Sequence, residues 1–226
     1  MELIIDAIDK SFGDNQVLRG ASARFSAGKI YGILGRNGAG KTTLFDLISG
    51  KKPYDAGGIS IEEDGKRREI VDGDVFYMVA DPQFPNFLTG REFIRLYLDL
   101  YGRREDADAL FDYAEIDEKN RDMLIQHYSL GTKNKLQMLM FLLTAPRVIL
   151  MDEPLTSLDV VIQQKIKEVL KDLKRDRVVL FSTHIVALAK DLCDEAVLIQ
   201  GKKLVETDSD FLRASAGERL LAKRLS

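Results

Sequence analysis

Cysteine is almost absent from this sequence, which has only Cys193. No internal disulfide and no cysteine-based metal cluster can therefore form. The setting Asp191-Leu192-Cys193-Asp194 suggests a small buried hydrophobe in a reducing compartment, not a nucleophile. Long apolar runs are also missing. The longest, near residues 136–145, is roughly half the length a membrane-spanning helix needs, so any membrane role requires another component to do the crossing. The opening Met1-Glu2-Leu3 lacks a basic segment followed by an apolar core, and no secretory leader is expected there. Neither sign of charge is in large excess: 33 basic and 36 acidic side chains give a formal net charge of -3. No broad positive field is available to hold DNA or RNA, and no nucleic-acid partner is expected. The basic run Lys66-Arg67-Arg68 stands beside Glu62, Glu63 and Asp64 and is expected on a solvated hairpin. Repeats, low-complexity linkers and long heptads are absent. What remains is an ordinary globular composition over 226 residues, enough chain to bury a core without staples.

Hydrophobic periodicity divides the chain into three stretches. Residues 3–8 and 17–25 read as strands flanking a Gly13-Asp14-Asn15 turn. Residues 29–34 form a short apolar strand, and residues 41–49 have helical spacing, with Leu44, Leu47 and Ile48 on one side. Residues 59–61 and 69–71 frame an Asp64-Gly65 turn as a surface hairpin, and residues 75–79 read as a buried strand. From 91 to 143 the pattern is almost wholly helical. Alternation then returns: strands at 148–151, 178–181, 196–199 and 204–206, with helices at 161–173 and 185–192. Strands that alternate with helices predict a mostly parallel sheet covered on both faces. The expected fold is α/β, with an antiparallel N-terminal β part and a helical insertion. The expected division is one domain over 1–226, its core formed by 1–83 and 147–226 and its helical part by 84–146.

Gly35-Arg36-Asn37-Gly38-Ala39-Gly40-Lys41-Thr42 matches the P-loop pattern in full, between a predicted strand and a predicted helix. Each part has a physical task. Glycine lets the backbone curl so that successive N–H groups, through Thr43, face inward on phosphates. The helix that follows points its positive end at the same charge. Lys41 adds a mobile cation, and Thr42 offers a hydroxyl to Mg²⁺. Further on, an apolar strand ends in Asp152-Glu153, which a parallel sheet would bring to the same carboxyl edge. Asp152 is expected to hold Mg²⁺. Glu153, turned aside by strand alternation, is expected to polarise an attacking water. ATP and Mg²⁺ are the ligands implied.

With these residues in place, the sequence resembles the ATP-binding cassette (ABC) ATPases along essentially its whole length. Tyr128-Ser129-Leu130-Gly131-Thr132 resembles the signature loop; Ser129 and Gly131 match it, and Leu130 and Thr132 depart from its usual glycine and glutamine in a way common in the export-type branch serving drugs, peptides or lantibiotics. Ser157-Leu158-Asp159 resembles the D-loop, and Ser182-Thr183-His184 the switch-histidine segment. The resemblance implies a head-to-tail dimer, homomeric or heteromeric, with each ATP between one P-loop and the partner's Ser129, Gly131 and Asp159. It implies that His184 senses the γ-phosphate and that Phe12 stacks on adenine. It implies a separate transmembrane permease subunit and a cytoplasmic place on the inner face of the membrane. Ala80 stands where the family has Gln or Glu; Asp81 or Gln83 would have to supply the lost contact to Mg²⁺ through a small loop shift. Phe84 and Phe87 either form a docking patch for the permease or pack beneath the helical insertion. A soluble ABC ATPase, such as one serving iron–sulfur assembly, or a slow nucleotide-gated switch would carry many of the same motifs.

Overall fold

The computed structural model describes residues 1–153 and 160–207, apart from the side chains of 160–163, 165, 166 and 186. Strands β1 (Glu2–Phe12) and β2 (Asn15–Ser26) pair antiparallel, and β4 (Ala56–Glu63) with β5 (Lys66–Glu69) extends them into a sheet of order β2-β1-β4-β5. A second sheet contains β3 (Ile30–Leu34), β6 (Val75–Met78), β7 (Val148–Asp152), β8 (Val178–Thr183), β9 (Glu195–Gln200) and β10 (Lys203–Thr207), in the order β10-β9-β3-β8-β7-β6. Its strands run parallel except β10, which returns antiparallel to β9. Helix α1 (Lys41–Ile48) follows β3. Helices α2 (Gly90–Leu100), α3 (Ala107–Tyr113), α4 (Glu118–Arg121) and α5 (Leu130–Thr144) lie between β6 and β7, and α6 (Val160–Leu173) and α7 (Val186–Leu192) flank β8. Among the described residues no helix is long and apolar enough to cross a membrane.

The parallel strands are buried on both faces, yet their side chains still divide by alternation. Val148 and Leu150, Val178 and Leu180, and Val197 and Ile199 join the core shared with α1 and the antiparallel sheet. Ile149 and Met151, Val179 and Phe181, and Ala196 and Leu198 join the core shared with the helical segment. Two cores on opposite sides of one sheet hold its carboxyl edge rigid. The buried strand expected at 75–79 differs from this pattern: β6 is the sheet edge, so Val75, Phe76 and Tyr77 are only half-buried. That position lets Tyr77 pack edge-on against Phe45 of α1, 5.8 Å between ring centroids.

Local chemistry explains the insertion's boundaries. Thr89 and Glu92 form a reciprocal cap on α2: Thr89 Oγ1 accepts the Glu92 N–H at 3.2 Å, and the Glu92 carboxylate accepts the Thr89 N–H at 2.8 Å. Ser129 caps α5 by accepting the Thr132 N–H at 3.2 Å. The basic hairpin is less free than expected. Arg68 donates twice to the buried carboxylate of Asp74, at 2.6 and 2.9 Å, and so ties β5 to the start of β6.

Candidate functional site

The loop between β3 and α1 takes a conformation that only its glycines allow. Gly40 has φ +107°, and a Cβ there would lie 2.7 Å from Val17 Cγ1. Gly38, at φ +80°, faces open space. Lys41 is buried and folds back across the loop, its Nζ donating to the carbonyls of Gly35 at 3.0 Å and Arg36 at 3.2 Å. The ammonium is thus held within the curl where polyphosphate charge would be received.

Parallel registry brings the other groups alongside. Asp152 on β7 lies opposite Ser182 on β8. Its carboxylate is buried and accepts three hydroxyls: Thr42 at 2.7 Å and Tyr77 at 3.2 Å, both on Oδ2, and Ser182 on Oδ1. Burial and the charge of Asp152 push the Tyr77 phenol far above its ordinary value, so it stays a neutral donor. Glu153 departs from the expected alternation. Its backbone turns left-handed, at φ +49°, and its N–H donates to Ser182 O at 3.3 Å and Ser182 Oγ at 3.2 Å. Such a turn in a non-glycine residue is costly and clusters at functional sites. It carries the Glu153 carboxylate to His184, whose Nδ1 lies 2.9 Å from Oε1. A cavity of about 320 Å³ is lined by Phe12, Asn37, Gly38, Gly40, Lys41, Thr42, Thr43, Ala80, Asp152 and Glu153, with Val17.

Several expected site residues stand apart from this cavity. Ser129, the exposed N-cap of α5, and half-buried Gly131 in its first turn do not line it. Gln83 does not reach it either. Its amide turns to Asp81, donating to Oδ2 at 3.2 Å, and both side chains are exposed, so neither fills the place Ala80 leaves beside the cavity. Asp159 and the rest of the D-loop segment lie outside the described residues. Phe84 and Phe87 divide between the two expectations. Phe84 packs edge-on against Phe93 of α2, 5.3 Å between centroids, whereas Phe87 is 78% exposed.

The sequence reading missed three residues. Val17 lines the cavity from β2, across the sheet boundary. Tyr77 reaches Asp152 from the edge strand. Gln137 of α5, only 4% exposed, accepts the Val79 N–H and donates to the Val79 carbonyl, both at 3.1 Å. A polar residue inside the apolar run of α5 was the available signal, since buried amides need partners.

A glycine-rich loop between a parallel strand and a helix, ending in Lys-Thr beside an acid on a nearby strand, defines a P-loop nucleoside triphosphatase. Residues 18–156 match the family model described as "ABC transporter", and the chain belongs to that family. The Nod factor export ATP-binding protein I of Rhizobium sp. (strain N33) is 33% identical over 211 residues, covering 88% of this chain and 68% of its own. The chain spans about two thirds of the length of such curated relatives. A solved structure described as the ATP-binding subunit of an ABC transporter superposes with a TM-score of 0.85 at 25% identity, covering 100% of this chain and 99% of that one. The fold is also that of an ATP-binding cassette solved as a dimer in a post-hydrolysis state with ADP and Pi, at a TM-score of 0.76 and 19% identity, covering 92% of this chain and 98% of that one. The chain is an ATP hydrolase of the ABC class.

Proposed function

We propose that this chain drives transport through a separate transmembrane permease, to which it binds on the inner face of the membrane, by closing as an ATP-dependent dimer. The observation that carries this reading is the convergence at one cavity of the Lys41 loop, the Thr42–Asp152 pair at 2.7 Å and Glu153, whose carboxylate His184 meets at 2.9 Å from beyond the cavity lining. Main-chain N–H groups of the Gly35–Thr43 loop and Lys41 receive the phosphates. The donors at Thr42 and Asp152 suit Mg²⁺, which keeps several waters and takes one or two carboxylates plus substrate phosphate oxygens. When bound there, the ion neutralises charge between the outer phosphates.

Glu153 accepts the proton of the attacking water, and His184 fixes the Glu153 carboxylate and meets the γ-phosphate. Phe12, 43% exposed at the cavity's rim, stacks on adenine. Ser129, exposed at the start of α5, and half-buried Gly131 beside it serve the ATP of the opposite subunit, homomeric or heteromeric, together with Asp159. That explains why they are absent from the cavity of their own chain. In the helical part, 84–146, the exposed Phe87, Leu96 and Leu100 form the permease's docking face. The export relative supports outward transport.

The test is Glu153→Gln with ATP. The variant is expected to bind ATP and accumulate as a dimer on size exclusion, and to co-purify with a polytopic membrane protein. A monomer at saturating ATP would overturn the dimer mechanism.

A further inference from the structure

The carboxylate of Asp152 draws on three elements: Thr42 from α1, Ser182 from β8 and Tyr77 from β6. The first two follow directly from the motifs that contain them. Tyr77 belongs to none of the motifs read from the sequence. Its phenol reaches the acid from β6, across β7 from β8, and its ring packs edge-on against Phe45 with the Lys51 ammonium 4.3 Å from the ring centroid. The hydroxyl donates to Oδ2, the same oxygen that accepts from Thr42. Three residues along the chain, Ala80 reaches the cavity with no polar side-chain atom, and the amide of Gln83 is turned away. Among the described residues the phenol of Tyr77 is therefore the polar side-chain group that β6 and the segment after it direct at the acid.

We propose that Tyr77 is a positioning residue for Mg²⁺. By holding Oδ2 from the β6 side, it fixes the rotamer of Asp152 and takes over the anchoring that a polar side chain at position 80 would supply. The packed ring sets its hydroxyl against Oδ2, the oxygen that also accepts from Thr42. Partners of this kind, one step behind a metal ligand, typically govern metal affinity by 10- to 100-fold. This inference rests on the assignment of Mg²⁺ to Thr42 and Asp152.

The test is Tyr77→Phe, which removes one oxygen and keeps the ring's packing. Affinity for a fluorescent ATP analogue is measured with Mg²⁺ and again in EDTA, for parent and variant. The parent is expected to bind more tightly with Mg²⁺. In the variant that Mg²⁺-dependent gain should shrink by about tenfold, with the affinity in EDTA unchanged. Tyr77→Leu, which also lacks the oxygen, should lose the Mg²⁺-dependent gain to the same degree. An undiminished gain in Tyr77→Phe would overturn the role of Tyr77. Parallel losses with and without Mg²⁺ would also overturn it, since they would mark a general packing role. A parent with no Mg²⁺-dependent gain would instead overturn the underlying metal assignment.

Discussion

Replacing Gly40 with alanine tests the geometry of the phosphate loop at its tightest point. Gly40 immediately precedes α1 with φ +107° and ψ 12°. An L-residue held in such a sparsely populated region costs about 1–3 kcal/mol. The new methyl would also stand 2.7 Å from Val17 Cγ1, and overpacking of that kind costs about 1–3 kcal/mol more. If the loop keeps its shape, the whole penalty of about 2–6 kcal/mol falls on stability and appears as a lower urea midpoint with an unchanged slope. If the loop relaxes, the geometry proposed to receive the phosphates is lost, and a loss of 2 kcal/mol there would weaken ATP binding about 30-fold. Urea denaturation and titration with a fluorescent ATP analogue, on the same preparation, divide the penalty between these outcomes. Val17→Ala, combined with Gly40→Ala, should restore the steric share and leave the backbone share, giving a coupling of about 1–3 kcal/mol in a double-mutant cycle. A Gly40→Ala variant with parental midpoint and parental ATP affinity would refute the reasoning.

Lys41→Ala should bind ATP at least tenfold more weakly, since the cation that bridges the loop carbonyls is the one placed to meet the outer phosphates; unchanged turnover would count against the site. Asp74→Asn should lose about 1–3 kcal/mol at pH 7, the range for a charged hydrogen-bonded partner left behind. Hydrogen bonds from Arg68 hold the Asp74 carboxyl below its ordinary value of 3.8, so this contribution is present above that value and fades as pH falls through the lowered one. Urea midpoints of parent and variant should converge in acid, and a constant gap would refute the assignment. Gln137→Met keeps the volume and removes both bonds to Val79. The Val79 amide should exchange with deuterium faster while the amides of β7 do not, and parental exchange at Val79 would show that the clasp is idle.

Much of the site was legible in the sequence because its residues are adjacent in the chain. The P-loop is one continuous segment, and its glycines carry their conformational meaning wherever they occur. The Asp152-Glu153 pair was legible through its context, since an apolar run ending in acids, beside a full P-loop, reads as a buried strand reaching the same sheet edge. Glu153 was read as turned aside by alternation, but its left-handed backbone does the turning. That conformation depends on hydrogen bonds to Ser182, 29 residues away, which no local pattern encodes. Sequence distance placed Gln83 within reach of the cavity, whereas in the structure its amide turns to Asp81.

The amino-acid sequence by itself determined the phosphate loop, the alternating two-sided core of the parallel strands and the helical identity of the insertion. Each of these follows from neighbours at periods of one, two or about four residues. Tertiary structure alone decided that Tyr77 meets Asp152, that Val17 walls the cavity, that Gln137 clasps Val79 and that β6 forms the sheet's edge. Those contacts depend on strand order and registry, which are fixed by how two buried faces pack together and leave no periodic trace along the chain.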